Sequence, residues 1–145
     1  MTTVRFHDPS FFPDAGLTYS VIAARYLGQW IFVRHHERDT WEIAGGHIEK
    51  GESPDETAGR ELTEETGAGR FDLVCVAAYS VEKNGTIGYG RLYFAEVSEL
   101  DPLQENSEIA GIMLSEHLPE NLTYPDIQSI LFTKVLEYLK LLDNN

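Results

Sequence analysis

The chain has 145 residues, 42% of them apolar and 24% charged, a length that fits one domain (1–145) burying about two-thirds of its unfolded surface. With 24 acidic residues against 11 basic ones the net charge is −13, which argues against electrostatic binding to a nucleic acid polymer or an anionic membrane. One cysteine, Cys75, leaves no intrachain disulfide, and no apolar run approaches the ~20 residues of a membrane span.

The N-terminal "MTTVRFHDPS" lacks the apolar region of a secretory leader, so the expected location is cytoplasmic. "LTYSVIAARYL" and "WIFVRH", separated by "GQ", read as the two strands of a hairpin. His35 and His36 follow as adjacent residues whose side chains point to opposite faces of a strand, which reads as a turn-associated polar pair rather than a metal site. "WEIAGG" is a short strand running into a glycine turn, in which Gly45 and Gly46 let the backbone approach a ligand, and Gly51 permits a second turn.

Residues 54 to 66 read as a helix with explicit limits. Ser53 caps it, Pro54 suits its first position, Glu56 completes a capping box and Gly67 stops it. Downstream come the β-rich "RFDLVCVAAYSVE", a glycine-rich turn at "NGTIGYG", and the strands "RLYFAEV" and "EIAGIML". Cys75, set in "LVCVAA", is expected to be a buried core thiol. "GYG" is too short for a phosphate-binding glycine loop. Trp41, Tyr19 and Phe6 read as core aromatics, with stacking on a base as the alternative. A closing amphipathic helix carries Ile127, Ile130, Leu131, Val135, Tyr138, Leu139 and Leu142 at helical spacing. Strands, helix, strands and helix predict a mixed sheet covered by helices, an α/β or α+β sandwich.

On the first helix, at 100° per residue, Glu61, Glu64 and Glu65 share an arc of about 100° beside the apolar stripe of Ala58 and Leu62. A wet acidic face tolerates this at ~0.2–0.5 kcal/mol per like-charged pair. In a partly buried arc, repulsion at ~6 Å rises to about 3 kcal/mol per pair, and a divalent cation becomes the natural compensation. Carboxylate oxygens suit Mg²⁺, with Mn²⁺ as substitute.

From Gly46 the sequence runs five residues to Glu52, then seven to Arg60-Glu61-Leu62-Thr63-Glu64-Glu65-Thr66-Gly67-Ala68. This resembles the complete signature of the Nudix hydrolases, and the strand order around it is similar to that family's α/β/α sandwich with a mixed β-sheet. One departure is Ala44, where many relatives have proline before the two glycines; it removes no ligand. The resemblance implies Glu61, Glu64 and Glu65 as metal ligands, with the Gly45 carbonyl as a further one. It implies Arg60 as the residue orienting the glutamates and Glu52 as the acid holding Arg60. The base that takes a proton from water is left among Glu65, Glu64 and Glu108, with Glu105 in reserve. His47 faces either the substrate phosphate or solvent.

The activity implied is Mg²⁺-dependent pyrophosphohydrolysis of a nucleoside diphosphate linked to another group. A (d)NTP, including oxidised forms, is preferred as substrate, in the manner of MutT-type members, and ADP-ribose or a nucleotide sugar is the alternative. A non-catalytic ligand-sensing module on the same fold would be expected to lose metal glutamates, and none is missing. A homodimer is left open.

Overall fold

The computed structural model describes residues 1–144. In chain order the elements are β1 (Thr2–His7), β2 (Tyr19–Tyr26), β3 (Gln29–His35), β4 (Ala44–His47), α1 (Pro54–Thr66), β5 (Ala68–Lys83), β6 (Thr86–Leu100), β7 (Ile109–Ser115) and α2 (Pro125–Asp143). They form one mixed sheet in the order β1-β5-β6-β2-β3-β7, with β4 paired to the first half of β2, Tyr19–Ile22. Among the paired strands of the described residues, β2 and β6 alone run parallel, from Tyr19↔Gly90 to Tyr26↔Val97.

Alternation along the strands divides the core. Ile22 and Ala24 of β2 pack with Ile31, Tyr93, Ala58 and Leu62 on the α1 side. Ala23 of the same strand packs with Phe32, Leu92, Phe94, Leu131 and Val135 on the α2 side. Burying one such side chain contributes roughly 1.5–3 kcal/mol, so each helix is held chiefly by its apolar stripe rather than by propensity. The sandwich expected from the order of elements is therefore present, α1 on one face and α2 on the other.

Several local expectations are corrected. "TTVRFH" forms an edge strand, registered from Thr2↔Lys83 to His7↔Ala78. Its alternation was too short to stand out as a strand in the sequence. The hairpin turn is Leu27-Gly28, with φ of 50° and 79°, so the residue before the glycine also takes the left-handed conformation. The "NGTIGYG" turn shrinks to Asn84-Gly85, and Thr86–Gly90 continue β6. On α2 the buried residues are Gln128, Leu131, Phe132 and Val135, while Ile130 and Leu142 lie exposed. Cys75 is half-buried on the sheet margin rather than enclosed in the core. No helix among the described residues is long and apolar enough to cross a membrane.

Candidate active site

The site forms where β4, the C-terminal half of α1 and the end of β3 meet. The capping box is complete: Ser53 Oγ accepts from Glu56 N and Glu56 Oε1 accepts from Ser53 N, each at 3.1 Å. Gly67 closes α1 in the left-handed conformation at φ 85°, its N–H bonded to Thr63 O. With both ends fixed and Ala58 and Leu62 fully buried, the rotation of α1 against the sheet is set. Glu61 and Glu65 then turn toward β4, while Glu64 stays more than half exposed.

Gly45 and Gly46 do not make a turn. They are residues of β4, paired with Val21 and Ser20 of β2. Their lack of a side chain is still required. A Cβ on Gly45 would lie 2.8 Å from Ser20 O, and one on Gly46 would lie 2.5 Å from the Glu61 carboxyl. The close approach anticipated for a ligand is thus first an approach of backbone to Glu61.

Arg60 is the hub of the acidic face. Its Nε donates to Glu52 Oε2 at 2.6 Å and its Nη2 to Glu52 Oε1 at 2.9 Å, a bidentate pair. Its Nη1 donates to Glu61 Oε1 at 2.6 Å and to Glu64 Oε2 at 3.2 Å. The arginine holds the Glu52 carboxyl far below the usual range, at about 2, with a further bond from Thr57 Oγ1 at 2.7 Å. Glu56, four residues before Arg60 on the helix, is engaged in the cap.

Glu65 is the most buried acid of the site, 6% exposed. Its Oε1 accepts from Gly45 N at 2.9 Å. Burial drives its pKa up to about 8, and the charges of Glu61, Glu42 and Glu108 add to that against the lowering effect of the Gly45 bond. Burial also raises the Glu61 pKa, which Arg60 opposes. Glu108 sits on the exposed turn before β7, where its carbonyl accepts from His36 N at 3.0 Å. It lines an open cleft of about 370 Å³ with His35, His36, Glu37 and Arg38. Its charge reaches Glu61 and Glu65, whereas Glu105 is exposed on the turn that precedes it.

Two residues stand at the site that the sequence reading did not place there: His35, read as half of a turn-associated polar pair, and Glu42. His35 Nε2 lies 3.4 Å from Glu42 Oε1 and 3.6 Å from Glu65 Oε2. The alternation that separates His35 from His36 also places His35 on the face of Ile31, under α1, so a signal was available. Glu42 was hidden because its position depends on a bridge to Val33 made across sequence. His47 is exposed beside Tyr19, with ring centroids 4.6 Å apart. Trp41 and Phe6 pack on the α2-side core. Among the described residues, no three acidic, histidine or cysteine side chains converge closely enough to enclose an ion. Arg60 instead draws Glu61 and Glu64 together.

Comparison with known proteins agrees with this geometry. The family model described as NUDIX domain matches residues 17–130. YtkD of Bacillus subtilis strain 168, provisionally named an 8-oxo-dGTP diphosphatase, is 33% identical over 102 residues, 70% of this chain and 64% of its own length. An ADP-ribose pyrophosphatase of the same organism is 35% identical over 94 residues, 62% of this chain and 50% of its own. The match therefore spans less than two thirds of the length of these curated relatives. The crystal structure of a variant of the Bacillus subtilis pyrophosphohydrolase BsRppH is similar at a TM-score of 0.80 and 29% identity, over 96% of this chain and 90% of that one. With the family model covering residues 17–130 and the signature carried intact on α1 and β4, the chain belongs to the Nudix hydrolase family.

Proposed function

We propose that this chain is a divalent-metal-dependent pyrophosphohydrolase that cleaves inside the diphosphate of a nucleotide and releases a nucleoside monophosphate. The observation that carries this is the buried Glu65, surrounded by Glu61, Glu42 and Glu108 and with its pKa pushed up to about 8. Ionising that many carboxyls together on a partly dry face calls for a cation.

The donors fit a hard cation. Glu61, Glu64, Glu65 and the Gly45 carbonyl offer oxygen only, which suits Mg²⁺ or Mn²⁺. Glu64 is exposed and held by a single arginine contact at 3.2 Å, so it can turn from Arg60 toward an ion. Such an ion, when bound, polarises phosphoryl oxygens and lowers the pKa of water. The protein's own part is to hold Glu61 through Arg60 and Glu52, to fix Glu65 through Gly45, and to supply a base. Glu65, Glu64 and Glu108 remain the candidates for that base, with Glu52 and Arg60 as the frame behind them. Retention of all three motif glutamates favours catalysis over ligand sensing.

A (d)NTP, oxidised forms included, is the preferred substrate, giving pyrophosphate as co-product, and residues 1–145 act as one catalytic domain in the cytoplasm. The relative named an ADP-ribose pyrophosphatase motivates the second reading, ADP-ribose or a nucleotide sugar. A screen over (d)NTPs, 8-oxo-dGTP, ADP-ribose and nucleotide sugars with Mg²⁺ and Mn²⁺ tests the proposal. Hydrolysis in ¹⁸O-water with mass spectrometry then identifies the attacked phosphorus. Orthophosphate alone from a triphosphate, or activity confined to monoesters, would overturn it. Activity on ADP-ribose but on no (d)NTP would keep the chemistry and change the substrate.

A further inference from the structure

The nitrogen of His35 faces two carboxylates from different parts of the fold, one buried and one partly buried. Glu65 arrives from α1, and Glu42 from the segment that bridges to Val33 of β3. With Glu65 ionised, as a bound cation requires, an imidazole nitrogen facing two carboxylate oxygens presents its N–H, because a lone pair there would be repelled by both. Glu42 is itself fixed. Its backbone exchanges bonds with Val33 at 2.8 and 3.0 Å, and its Oε1 accepts from Arg38 Nη1 at 3.2 Å.

The two oxygens of Glu65 are therefore approached from two different strands, β4 and β3. Oε1 takes the Gly45 N–H at 2.9 Å, and Oε2 faces His35 at 3.6 Å. One carboxylate oxygen is thereby held by a hydrogen bond, and the other lies within ion-pair distance of the imidazole. An ion pair serving only to join β3 to the Glu42 segment would be complete with His35 and Glu42 alone. The third partner, Glu65, is what links the pair to the acidic site.

From this we propose that His35, backed by Glu42, is a positioning residue that fixes the Glu65 carboxylate for a divalent cation. The inference rests on the metal site proposed above. Groups that orient a ligand from behind typically change metal affinity by roughly 10- to 100-fold when removed. The chain Arg38, Glu42, His35, Glu65 also starts at the cleft shared with Glu108, so the support lies along the route between that cleft and the glutamates.

The test is Mn²⁺ binding followed by electron paramagnetic resonance, with metal-free thermal unfolding as the structural control. His35→Ala should weaken Mn²⁺ binding by roughly 10-fold or more while leaving the metal-free Tm near wild type. His35→Gln places an amide nitrogen where Nε2 stood, and it should recover most of the affinity. His35→Ala with wild-type affinity would overturn the role. So would a fall in metal-free Tm with affinity intact, or loss of the fold in both variants, since each describes a structural residue. Absence of Mn²⁺ binding in the wild type would instead overturn the metal site itself, and His35's part in it.

Discussion

Arg60 grips Glu52 through two parallel hydrogen bonds and, with its remaining nitrogen, holds Glu61 at 2.6 Å. One arginine thus ties the loop before α1 to the acidic face of the helix. Arg60→Ala should lower metal affinity and turnover together, because Glu61 and Glu64 lose the group that aims them. Arg60→Lys should restore little, since an ammonium cannot reproduce the fork on Glu52. Calorimetric Mn²⁺ titration beside rate measurements checks this. Turnover lost with metal binding unchanged would show that Arg60 touches substrate instead.

Glu64 and Glu65 differ in setting, one more than half exposed and one buried, yet both are proposed to meet the metal. Glu64→Gln and Glu65→Gln should each cut turnover at saturating Mg²⁺ by orders of magnitude. Circular dichroism should remain that of the wild type, because glutamine keeps the volume and the Gly45 N–H can still donate to its amide oxygen. Near-wild-type rates in both would remove the metal assignment.

The helix and its acids were legible because their signals are local: a cap, a proline, a glycine stop and charges at a fixed angular spacing. Both ends of α1 fall where those residues place them. The Arg60–Glu64 pair follows from helical spacing, whereas Glu52 as the partner of Arg60 came from the resemblance of the motif to the family. What stayed hidden depends on pairing across the chain. Gly45 and Gly46 look like a turn until β2 is seen beside them. Glu42 acquires meaning only from its bridge to Val33, and β1 only from β5, more than seventy residues later.

Gly45 and Gly46 should respond differently to alanine. A Cβ at Gly45 meets the backbone oxygen of Ser20 at 2.8 Å, which cannot yield without moving β2. Gly45→Ala should therefore lower Tm markedly. A Cβ at Gly46 meets the Glu61 carboxyl at 2.5 Å, the far end of a flexible side chain. Gly46→Ala should displace Glu61 and depress turnover with a smaller loss of Tm. Equal effects on stability and rate in the two variants would show that the contact with Glu61 has no separate functional weight.

The raised Glu65 pKa fixes the sign of a pH effect on stability. A carboxyl whose folded pKa, about 8, exceeds its unfolded value of 4.5 binds more protons in the fold. Its contribution is full below the unfolded value and is lost as pH rises through the folded one. Metal-free wild type should therefore lose Tm more steeply than Glu65→Gln between pH about 5 and about 8. General self-repulsion of the acidic chain acts on both proteins, so the difference in slope isolates Glu65. Parallel slopes would show that Glu65 titrates in the ordinary carboxylate range. Added Mg²⁺ should flatten the wild-type slope, because a bound cation offsets the charge that burial penalises.

Glu108 is the residue whose role separates most cleanly by experiment. Its turn is anchored by the His36 N–H at 3.0 Å, it lines the cleft with His35 and Arg38, and its charge helps raise the Glu65 pKa. If Glu108 takes the proton from water, Glu108→Gln should depress kcat more than substrate binding and flatten the acidic limb of the pH–rate profile. If Glu108 acts only as a neighbouring charge, its loss lowers the Glu65 pKa, so the acidic limb should move to lower pH with kcat preserved. An unaltered profile with normal kcat returns the base to Glu64 or Glu65 on α1. The first outcome assigns the proton to the loop before β7, and the second assigns it to the helix while still giving Glu108 a measurable hand in its timing.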